Sequence, residues 1–258
     1  MAAATNSSPV HGDRDLLGQT VMVIGGSSGI GLETARLARA KGADIILTAR
    51  TPDRLHRVGL ELAASIAAFD ATDFGRLERF FDALPGPVDH LLVTGPGPRY
   101  MPLAEFDLDA GRRDVDTRLL LPLQVARHAT SKVRPGGTLL FLGGTGGRRT
   151  TAGLAFSTAL TAALRAMTRS LALEVASVRV NLIAAGFVDT PWSASLLGGR
   201  IDERREQLRT TLPIGRVVGP ADIAALAVHL MTNTAITGAT FDIDGGQPAG
   251  GRRPRWPG

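Results

Sequence analysis

Short apolar runs recur along the chain, and segments with helical periodicity separate them. The run at positions 21–24 is apolar at every residue, which is typical of a strand buried on both faces of a parallel sheet. Between such runs, apolar residues recur every three to four positions, as in the segment 74–84 that Pro85 ends. Alternating strands and helices of this kind predict a doubly wound parallel sheet with helices on both faces.

The pattern predicts about seven parallel strands in a single α/β domain. The expected strands lie at 20–24, 44–48, 65–69, 90–94, 138–142, 178–183 and 240–243. Two long helices are expected at 105–133 and 153–176, the first of them closed by Pro135-Gly136-Gly137. The segment 191–213 is predicted to be a long loop with a short helical piece, which would either cover a substrate or form a surface excursion.

The first predicted strand runs directly into a loop of small residues, Gly25-Gly26-Ser27-Ser28-Gly29-Ile30-Gly31. Gly25 and Gly29 can adopt positive φ and carry no Cβ, so backbone N–H groups can approach an anion closely. The helix that follows points its positive N-terminal end at the same place, and Gly31 lets that helix pack against the strand. A pyrophosphate site is therefore predicted here, with an ordinary tight turn as the alternative interpretation of such a loop alone.

The composition is that of one large globular domain. The chain has 258 residues, of which 44% are hydrophobic and 21% charged, and no apolar run is long enough to span a bilayer. Residues 1–15 lack the apolar core of a signal peptide and are expected to be a disordered lead-in, whereas 248–258 is expected to be a basic flexible tail. We therefore expect a cytoplasmic protein whose folded domain covers 16–247, with no membrane partner.

The distribution of cysteine, histidine and arginine argues against metal and nucleic-acid ligands. The chain has no cysteine, and its five histidines are scattered without the spacing of metal ligands, so no metal is expected. The net charge of +5 comes from separated arginine pairs such as Arg112-Arg113 and Arg148-Arg149 rather than from a basic stripe with interleaved aromatics. We interpret these arginines as solvated surface residues and expect no nucleic-acid partner.

The glycine spacing G-x-x-x-G-x-G at Gly25, Gly29 and Gly31 resembles that of the short-chain dehydrogenase/reductase family. The resemblance extends over 16–247 and includes the last strand, Gly238-Ala239-Thr240-Phe241-Asp242-Ile243-Asp244-Gly245-Gly246. It implies a Rossmann-type fold, a nicotinamide coenzyme and a small-molecule substrate. The family's usual self-association through its two long helices also implies a homodimer or a homotetramer.

The resemblance also implies which residues bind the coenzyme. Arg50 follows the second strand where an acidic residue would bind an adenosine 2′-hydroxyl, and its guanidinium suits a 2′-phosphate, so NADP(H) is expected. Asp70 is expected to contact the adenine amino group or to cap the next helix, and Thr190 to meet the nicotinamide carboxamide. The full set is Gly25, Ser27, Ser28, Gly29, Ile30, Gly31, Arg50, Asp70, Ala71, Gly95, Gly97, Gly186, Val188 and Thr190.

The segment Thr94-Gly95-Pro96-Gly97 stands where the family has Asn-Asn-Ala-Gly. Its small residues leave room for the coenzyme, but Thr94 has no amide side chain. The hydrogen bonds by which the family's asparagine ties the central strands together are therefore expected to be lost.

Aligned with the family, this chain has other residues at all four positions that carry the family's reaction. The family uses a Tyr that gives or takes the carbonyl proton, a Lys one helical turn later, a Ser on the preceding strand and an Asn. Phe156 stands at the Tyr position and Leu160 at the Lys position, within the apolar face of a predicted helix. The Ser position falls on Gly143 or Gly144, and Asp116 replaces the Asn.

Few side chains are available to replace this tetrad. Tyr100 is the only tyrosine, and Lys41 and Lys132 are the only lysines, so no Tyr-x-x-x-Lys pair exists in the chain. The candidates for a chemical role are Tyr100, Asp116 and Thr145. Their respective alternative roles are pocket lining, an interhelix hydrogen bond and turn formation.

These residues predict an atypical NADP(H)-dependent oxidoreductase. A substrate that needs little proton donation, such as an iminium, a quinone-like carbonyl or an activated alkene, fits the loss of the acid pair. A non-redox cyclase, isomerase or dehydratase on the same scaffold is one alternative. A non-catalytic nucleotide-binding regulator, or an inactive partner of a catalytic homologue, is the other.

Overall fold

Seven parallel strands form one sheet in the computed structural model of the chain, which describes residues 15–95, 97, 102–148 and 153–247. The strands are β1 Thr20–Ile24, β2 Asp44–Ala49, β3 Ser65–Ala68, β4 Val88–Val93, β5 Val133–Gly144, β6 Arg179–Ala185 and β7 Thr240–Ile243. Their order is β3-β2-β1-β4-β5-β6-β7. The predicted doubly wound α/β architecture of Rossmann type is confirmed.

Helices connect the strands on both faces of the sheet. They are α1 Gly29–Ala40, α2 Pro52–Leu62, α3 Phe74–Asp82, α4 Leu108–Val115, α5 Leu121–Lys132, α6 Ala155–Glu174, α7 Pro191–Leu197, α8 Ile201–Thr211 and α9 Pro220–Thr232. Short 3₁₀ turns occupy Leu103–Glu105, Thr145–Arg148 and Gly198–Arg200. The predicted lead-in and tail lie outside the described residues, except for Asp15.

The two faces of the sheet carry separate hydrophobic cores. On β1, Val21 and Val23 belong to the core beneath α1, α2 and α9, whereas Met22 and Ile24 belong to the core beneath α3, α5 and α6. Successive side chains of a strand point to opposite faces, so an uninterrupted apolar run supplies both cores. Each of these buried side chains contributes roughly 1.5–3 kcal/mol relative to exposure. Burial on both sides therefore explains why β1 has no polar residue between its ends.

The helix predicted at 105–133 is interrupted. The Asp107 carboxylate caps α4 by accepting a hydrogen bond from the Ala110 N–H at 2.5 Å, so the regular helix begins at Leu108. A π-helical turn at Asp116–Leu120 then joins α4 to α5. Such a turn inserts one extra residue into the helix and is common at functional sites.

Pro135-Gly136-Gly137 does not close that helix but forms a bulge inside β5. The register between β4 and β5 shifts here, so one residue of β4, Asp89, faces four residues of β5. A Cβ on Gly137 would overlap the carbonyl oxygen of Asp89, which explains the glycine. The strand therefore begins at Val133, five residues before the predicted start.

The segment 191–213, predicted as a long loop, is mostly helical. Thr190 and Ser193 form a capping box at the start of α7, where each side chain accepts a hydrogen bond from the other's backbone N–H. Pro191 occupies the first turn, where a missing N–H leaves no helical hydrogen bond unmade. Acidic residues in the first turn of α8 and a basic residue in its last turn complement the helix dipole.

A buried histidine lies near the amino edge of the sheet. His90 in β4 is 4% exposed, and its Nε2 lies 2.6 Å from Gln19 Oε1. Burial, helped by the positive charge of Arg179 and opposed by Asp89, lowers the pKa of His90 to about 4. The imidazole is therefore neutral at neutral pH, and Nε2–H donates to Gln19.

Acidification is expected to destabilise the protein through His90. An unfolded histidine has a pKa near 6.5, so below that pH it takes up a proton that the folded protein does not. The stability that the neutral His90 contributes is therefore fully present above pH 6.5 and is lost as the pH falls towards 4. Between pH 7 and pH 5 the linkage corresponds to about 2 kcal/mol. Urea denaturation at both pH values measures the free energy of unfolding.

The control separates His90 from the other titrating groups. His90→Gln lacks the titrating imidazole. Between pH 7 and pH 5 its free energy of unfolding is therefore expected to fall by about 2 kcal/mol less than that of the wild type. The exposed His56, replaced by Gln, is the matched control, and its free energy of unfolding at pH 7 is expected within about 0.5 kcal/mol of the wild type. An identical pH dependence in wild type and His90→Gln would contradict the assignment.

Candidate functional site

The carboxyl ends of the parallel strands lie along one edge of the sheet, and the order of the strands reverses between β1 and β4. The chain passes outwards from β1 to β2 and β3 on one side, and from β4 to β5, β6 and β7 on the other. Ligands of doubly wound folds bind in the crevice that opens at such a reversal. The glycine loop, residues 25–31, follows β1 at this point, and Thr94 and Gly95 follow β4.

Positive φ angles and close backbone contacts explain the glycines of the loop. Gly25 and Gly29 have positive φ of 87° and 54°. The N–H groups of Gly25 and Gly26 donate to the Thr48 carbonyl oxygen at 2.8 and 3.1 Å, which fixes the loop to the end of β2. A Cβ on Gly31 would overlap the carbonyl oxygen of Gly25, so α1 approaches the loop as closely as a backbone can.

The N-terminus of α1 is free to bind an anion. Ser28 is the N-cap, but its side chain accepts no capping hydrogen bond, and the first turn contains no acidic residue. The first N–H groups of a helix lack intrahelical acceptors and carry a partial positive charge. A glycine-rich loop with only small residues in front of such a helix end fits the pyrophosphate of a dinucleotide coenzyme.

Thr94 ties the two central strands together. Its N–H donates to the Ile24 carbonyl oxygen at 2.9 Å, and its hydroxyl lies 2.9 Å from the same oxygen and 3.2 Å from the Gly25 carbonyl oxygen. Although the asparagine's own hydrogen bonds are absent, a side-chain tie remains at this position, because the Thr94 hydroxyl reaches the carbonyl oxygens of Ile24 and Gly25. A Cβ on Gly25 would overlap this hydroxyl, so the tie also requires the glycine.

Arg50 and Asp70 mark the outer part of the crevice. Both are exposed, after β2 and β3 respectively. Burial opposes ionisation of Asp70, but hydrogen bonds from the N–H and hydroxyl of Thr72 and the charge of Arg50 outweigh it, so the Asp70 pKa lies below its usual value. The alternative role of Asp70 as a helix cap was wrong, since Asp73 caps α3 by accepting from the Arg76 N–H at 3.0 Å.

The start of α7 lies against two of the predicted coenzyme loops. The methyl carbon of Thr190 would lie 3.6 Å from a Cβ on Gly29, and its hydroxyl is 3.0 Å from the Ser193 hydroxyl. The indole of Trp192, 39% exposed, covers Gly97 so closely that no Cβ fits there. The start of α7 therefore lies over the crevice between β1 and β4.

Ion pairs and close packing hold the base of the α7–α8 segment, residues 191–211. Arg205 in α8 makes two parallel hydrogen bonds to the Asp189 carboxylate, both at 2.9 Å, and Asp189 donates its N–H to the Val218 carbonyl oxygen. Val188, one residue earlier, is buried and bridges to Val218. A Cβ on Gly186 would come within 2.6 Å of the Asp244 Cβ, so this turn also requires a glycine.

The two glycines at the end of β5 that could stand at the serine position differ in the space around them. A Cβ on Gly143 would be 3.1 Å from a methyl of Leu182 and 3.2 Å from one of Leu164, both of which are buried in the core. A Cβ on Gly144 would make only ordinary contacts, the nearest at 3.8 Å. Gly144 is therefore the position of the two from which a side chain could project out of the core. Thr145 follows it and is 9% exposed.

Apolar contacts surround the residues at the tyrosine and lysine positions. The ring of Phe156 packs edge to face on Phe106, with centroids 5.1 Å apart. Leu160 is 5% exposed and lies on the buried face of α6. Neither of these two side chains is ionisable, and neither can therefore supply a proton or a charge.

The remaining candidates differ in what the structure says of them. Asp116 is half-buried at the start of the π turn, and its carboxylate makes no hydrogen bond or ion pair with any described residue. The next residue, Thr117, has its methyl 3.4 Å from where a Cβ on Gly95 would lie, so the π turn reaches the coenzyme loop after β4. Tyr100 lies outside the described residues.

Sequence reasoning missed two features of the site. It did not anticipate that Trp192 covers Gly97, and it did not consider Arg54 or Arg57 of α2, which line a cavity beside the glycine loop. Arg54 and Arg57 lie three residues apart, which places them on one turn of α2 shortly after Arg50, and this spacing was the available signal.

The described part of the chain contains no group of three or more histidine and carboxylate side chains arranged to hold a metal ion. None of its helices combines the length and hydrophobicity needed to cross a membrane.

Comparison with known proteins places this geometry in context. Residues 24–247 match a protein family described as enoyl-(acyl carrier protein) reductase. The chain is 27% identical over 248 residues to the short-chain dehydrogenase/reductase ATR9 of Stachybotrys chlorohalonatus, which covers 89% of this chain and 96% of that protein. It is 29% identical over 241 residues to the 3-oxoacyl-(acyl-carrier-protein) reductase FabG of Salmonella typhimurium, covering 89% of this chain and 97% of that protein.

A solved structure with bound coenzyme has the same fold. The crystal structure of BdcA in complex with NADPH superposes on this chain with a TM-score of 0.83 at 26% sequence identity. The match covers 94% of this chain and 99% of that one. The similarity therefore extends over the whole sheet and the helices on both of its faces.

Proposed function

Because the chain belongs to the short-chain dehydrogenase/reductase family, we propose that it binds NADP(H) and reduces a small molecule. The observation that carries the proposal is the glycine loop, in which Gly25 and Gly31 leave no space for a Cβ in front of an uncapped helix. Coenzyme binding by BdcA, a protein of the same fold at 26% identity, supports the choice of NADP(H).

The substrate class follows from the missing acid pair. Phe156 packs on Phe106, and Leu160 is buried, so neither position supplies a proton or a charge. Loss of a general acid typically lowers the rate of carbonyl reduction by about 10² to 10⁴. We therefore propose a substrate whose reacting carbon is already electron-poor, such as an iminium, a quinone-like carbonyl or an activated alkene.

The protein's own residues then act mainly by binding, orienting and excluding water. NADP(H), when bound, would supply the hydride. The glycine loop and the N-terminus of α1 would hold the pyrophosphate, and Thr190 with the start of α7 would close the nicotinamide end. Where the product needs a proton, Asp116, Thr145 and Tyr100 are the candidate donors or water-binding groups.

The first test is binding followed by transfer of label. Calorimetric titration with NADPH and NADP⁺ is expected to give saturable binding with one site per chain. With a panel of iminium, quinone and enone substrates, NADPH deuterated at C4 is expected to pass deuterium to the product. An unlabelled product from a substrate that is turned over would contradict hydride transfer.

A second function is favoured by the apolar residues at the start of α6. The aromatic pair of Phe106 and Phe156 and the buried Leu160 would suit a substrate that is folded or isomerised without net reduction. The coenzyme would then remain a bound structural element. Substrate consumption with no change in NADPH absorbance would support this function and reject the reductase.

A further inference from the structure

A cavity of about 410 Å³ lies beside the glycine loop, between α1 and α2. Its volume is within the range of small-molecule sites, about 300–1,000 Å³. Ser27, Ser28 and Gly29 line one side of it. The uncapped N-terminus of α1 therefore opens into this cavity as well as into the crevice.

One face of α2 forms the opposite side of the cavity. Arg54, Arg57, Val58 and Glu61 line it and are spaced by three to four residues, so they lie on the same face of the helix. This face is turned towards α1, which contributes Arg36. Three guanidinium groups thus surround the cavity against a single carboxylate.

The single carboxylate is already occupied. Glu61 binds Arg36 through two parallel hydrogen bonds, from Nε at 2.7 Å and from Nη2 at 3.1 Å. Arg54 and Arg57 make no hydrogen bond or ion pair with any described residue. The positive charge at the cavity is therefore uncompensated at these two arginines, and an anion is the ligand that they fit.

Arg50 is in a different position. It does not line the cavity, and its charge acts on the Asp70 carboxylate after β3. Arg50 is exposed after β2 and makes no hydrogen bond or ion pair with any described residue, so it too remains available to a phosphate. Any contribution of the cavity arginines to coenzyme choice is therefore additional to that expected of Arg50.

We propose that Arg54 and Arg57, on the cavity face of α2, bind the 2′-phosphate of NADP(H) and determine the preference for NADP(H) over NAD(H). This rests on the proposed coenzyme binding and adds to it the residues that discriminate. The phosphate monoester carries close to two negative charges, and arginine presents donors in pairs to such a group. Ser27 and Ser28 offer hydroxyl donors on the opposite side of the same cavity.

The test compares two nucleotides that differ only in this phosphate. Calorimetric titrations with 2′,5′-ADP and with 5′-AMP are made on the wild type, Arg54→Ala, Arg57→Ala and the double variant. Each single variant is expected to bind 2′,5′-ADP about 5-fold more weakly, and the double variant about 30-fold, since the pairs are solvent-exposed. Binding of 5′-AMP is expected to change less than twofold in all of them.

Two control variants accompany the series. His56→Ala removes an exposed side chain that does not line the cavity from the same helix and is expected to leave both affinities unchanged. Arg50→Ala is expected to weaken 2′,5′-ADP binding less than the double variant does. Raising the salt concentration should reduce the difference between wild type and double variant, because exposed charges are screened.

The outcomes separate the inference from the proposed function. If the wild type binds neither nucleotide, coenzyme binding and the inference both fail. If the wild type prefers 2′,5′-ADP and the double variant keeps that preference, or if Arg50→Ala alone abolishes it, the inference is overturned while coenzyme binding stands. An equal loss of affinity for both nucleotides in the double variant, with unchanged thermal stability, also overturns the inference. The arginines would then not distinguish a nucleotide with a 2′-phosphate from one without it.

Discussion

Replacing Gly31 by alanine is expected to weaken NADPH binding by about 30-fold or more. The added Cβ would overlap the carbonyl oxygen of Gly25 and lie 3.2 Å from the Thr94 hydroxyl, and neither of these atoms is at the end of a flexible side chain. The glycine loop or the start of α1 must therefore move. A hydrogen bond to a charged group contributes roughly 1.5–3 kcal/mol, so losing one or two of those to the pyrophosphate gives an effect of this size.

A matched glycine provides the control. Gly86 lies in the loop between α3 and β4, where an added Cβ would meet no atom within 4 Å. Gly86→Ala is expected to bind NADPH as the wild type does, in the same calorimetric titration. Thermal denaturation of both variants shows whether they are folded at the temperature of the titration. Binding by folded Gly31→Ala within threefold of the wild type would show that the loop does not hold the coenzyme as proposed.

Strands bounded by clear polar or glycine residues were predictable from the sequence. β1 and β7 have the predicted ends, because Thr20 begins one apolar run and Gly25 stops it, and a similar pattern surrounds β7. The start of β5 was not predictable, since Pro135-Gly136-Gly137 is typical of the end of a helix. Only the approach of Gly137 to the Asp89 carbonyl oxygen, across two strands, shows that this tripeptide is a bulge.

Helix ends that depend on one side chain were less predictable. Periodicity continues without interruption from 105 to 133, but the helix begins where Asp107 caps it. In the segment 191–213, Leu-Leu-Gly-Gly reads as a break, yet the capping box of Thr190 and Ser193 forms a helix before it. Capping competes locally with propensity, and its outcome depends on rotamers that a sequence does not specify.

The glycine loop could be located from the sequence because its chemistry is local. A strand, small residues and a helix follow one another within a dozen positions, and the structure brings Gly25 and Gly31 into contact as that order implies. The role of Thr94 could not be read in the same way. Its hydroxyl lies within hydrogen-bonding distance of the carbonyl oxygens of Ile24, at the end of β1, and of Gly25. These two residues are 70 and 69 positions earlier in the chain, so the contact cannot be inferred from local sequence.

The arginines of α2 illustrate a further limit. Arg54 and Arg57 are ordinary exposed residues of an amphipathic helix when the sequence is read alone. They gain significance only when α1 and α2 pack side by side, because then Glu61 is occupied by Arg36 and the other two arginines face the glycine loop. The proposed coenzyme preference would thus depend on tertiary pairing as well as on the residue that follows β2.

At the amino edge of the sheet, the buried guanidinium of Arg179 donates hydrogen bonds to several buried oxygen atoms. Arg179 in β6 is 7% exposed, and its guanidinium lies within hydrogen-bonding distance of the carbonyl oxygens of Leu230 and Met231, both at 2.8 Å, and of Asn233 at 2.9 Å. These carbonyls belong to the end of α9, where intrahelical donors are absent. The further acceptors are the Gly136 and Ile236 carbonyl oxygens and the Thr138 hydroxyl. Burial lowers the pKa of Arg179, but the group stays charged at neutral pH.

The Arg179→Met variant is expected to lose about 3–5 kcal/mol of unfolding free energy, because methionine fills the space but leaves several buried carbonyl oxygens without donors. Arg179→Lys should lose less, since it keeps the charge and up to three donors. Urea denaturation measures both, with the exposed Arg169→Met of α6 as a control expected within about 0.5 kcal/mol of the wild type. NADPH affinity of the folded fraction should stay within about twofold, because Arg179 lies at the edge of the sheet opposite the glycine loop. A loss below 1 kcal/mol in Arg179→Met would mean that water satisfies these carbonyls, and that α9 does not need the guanidinium to end where it does.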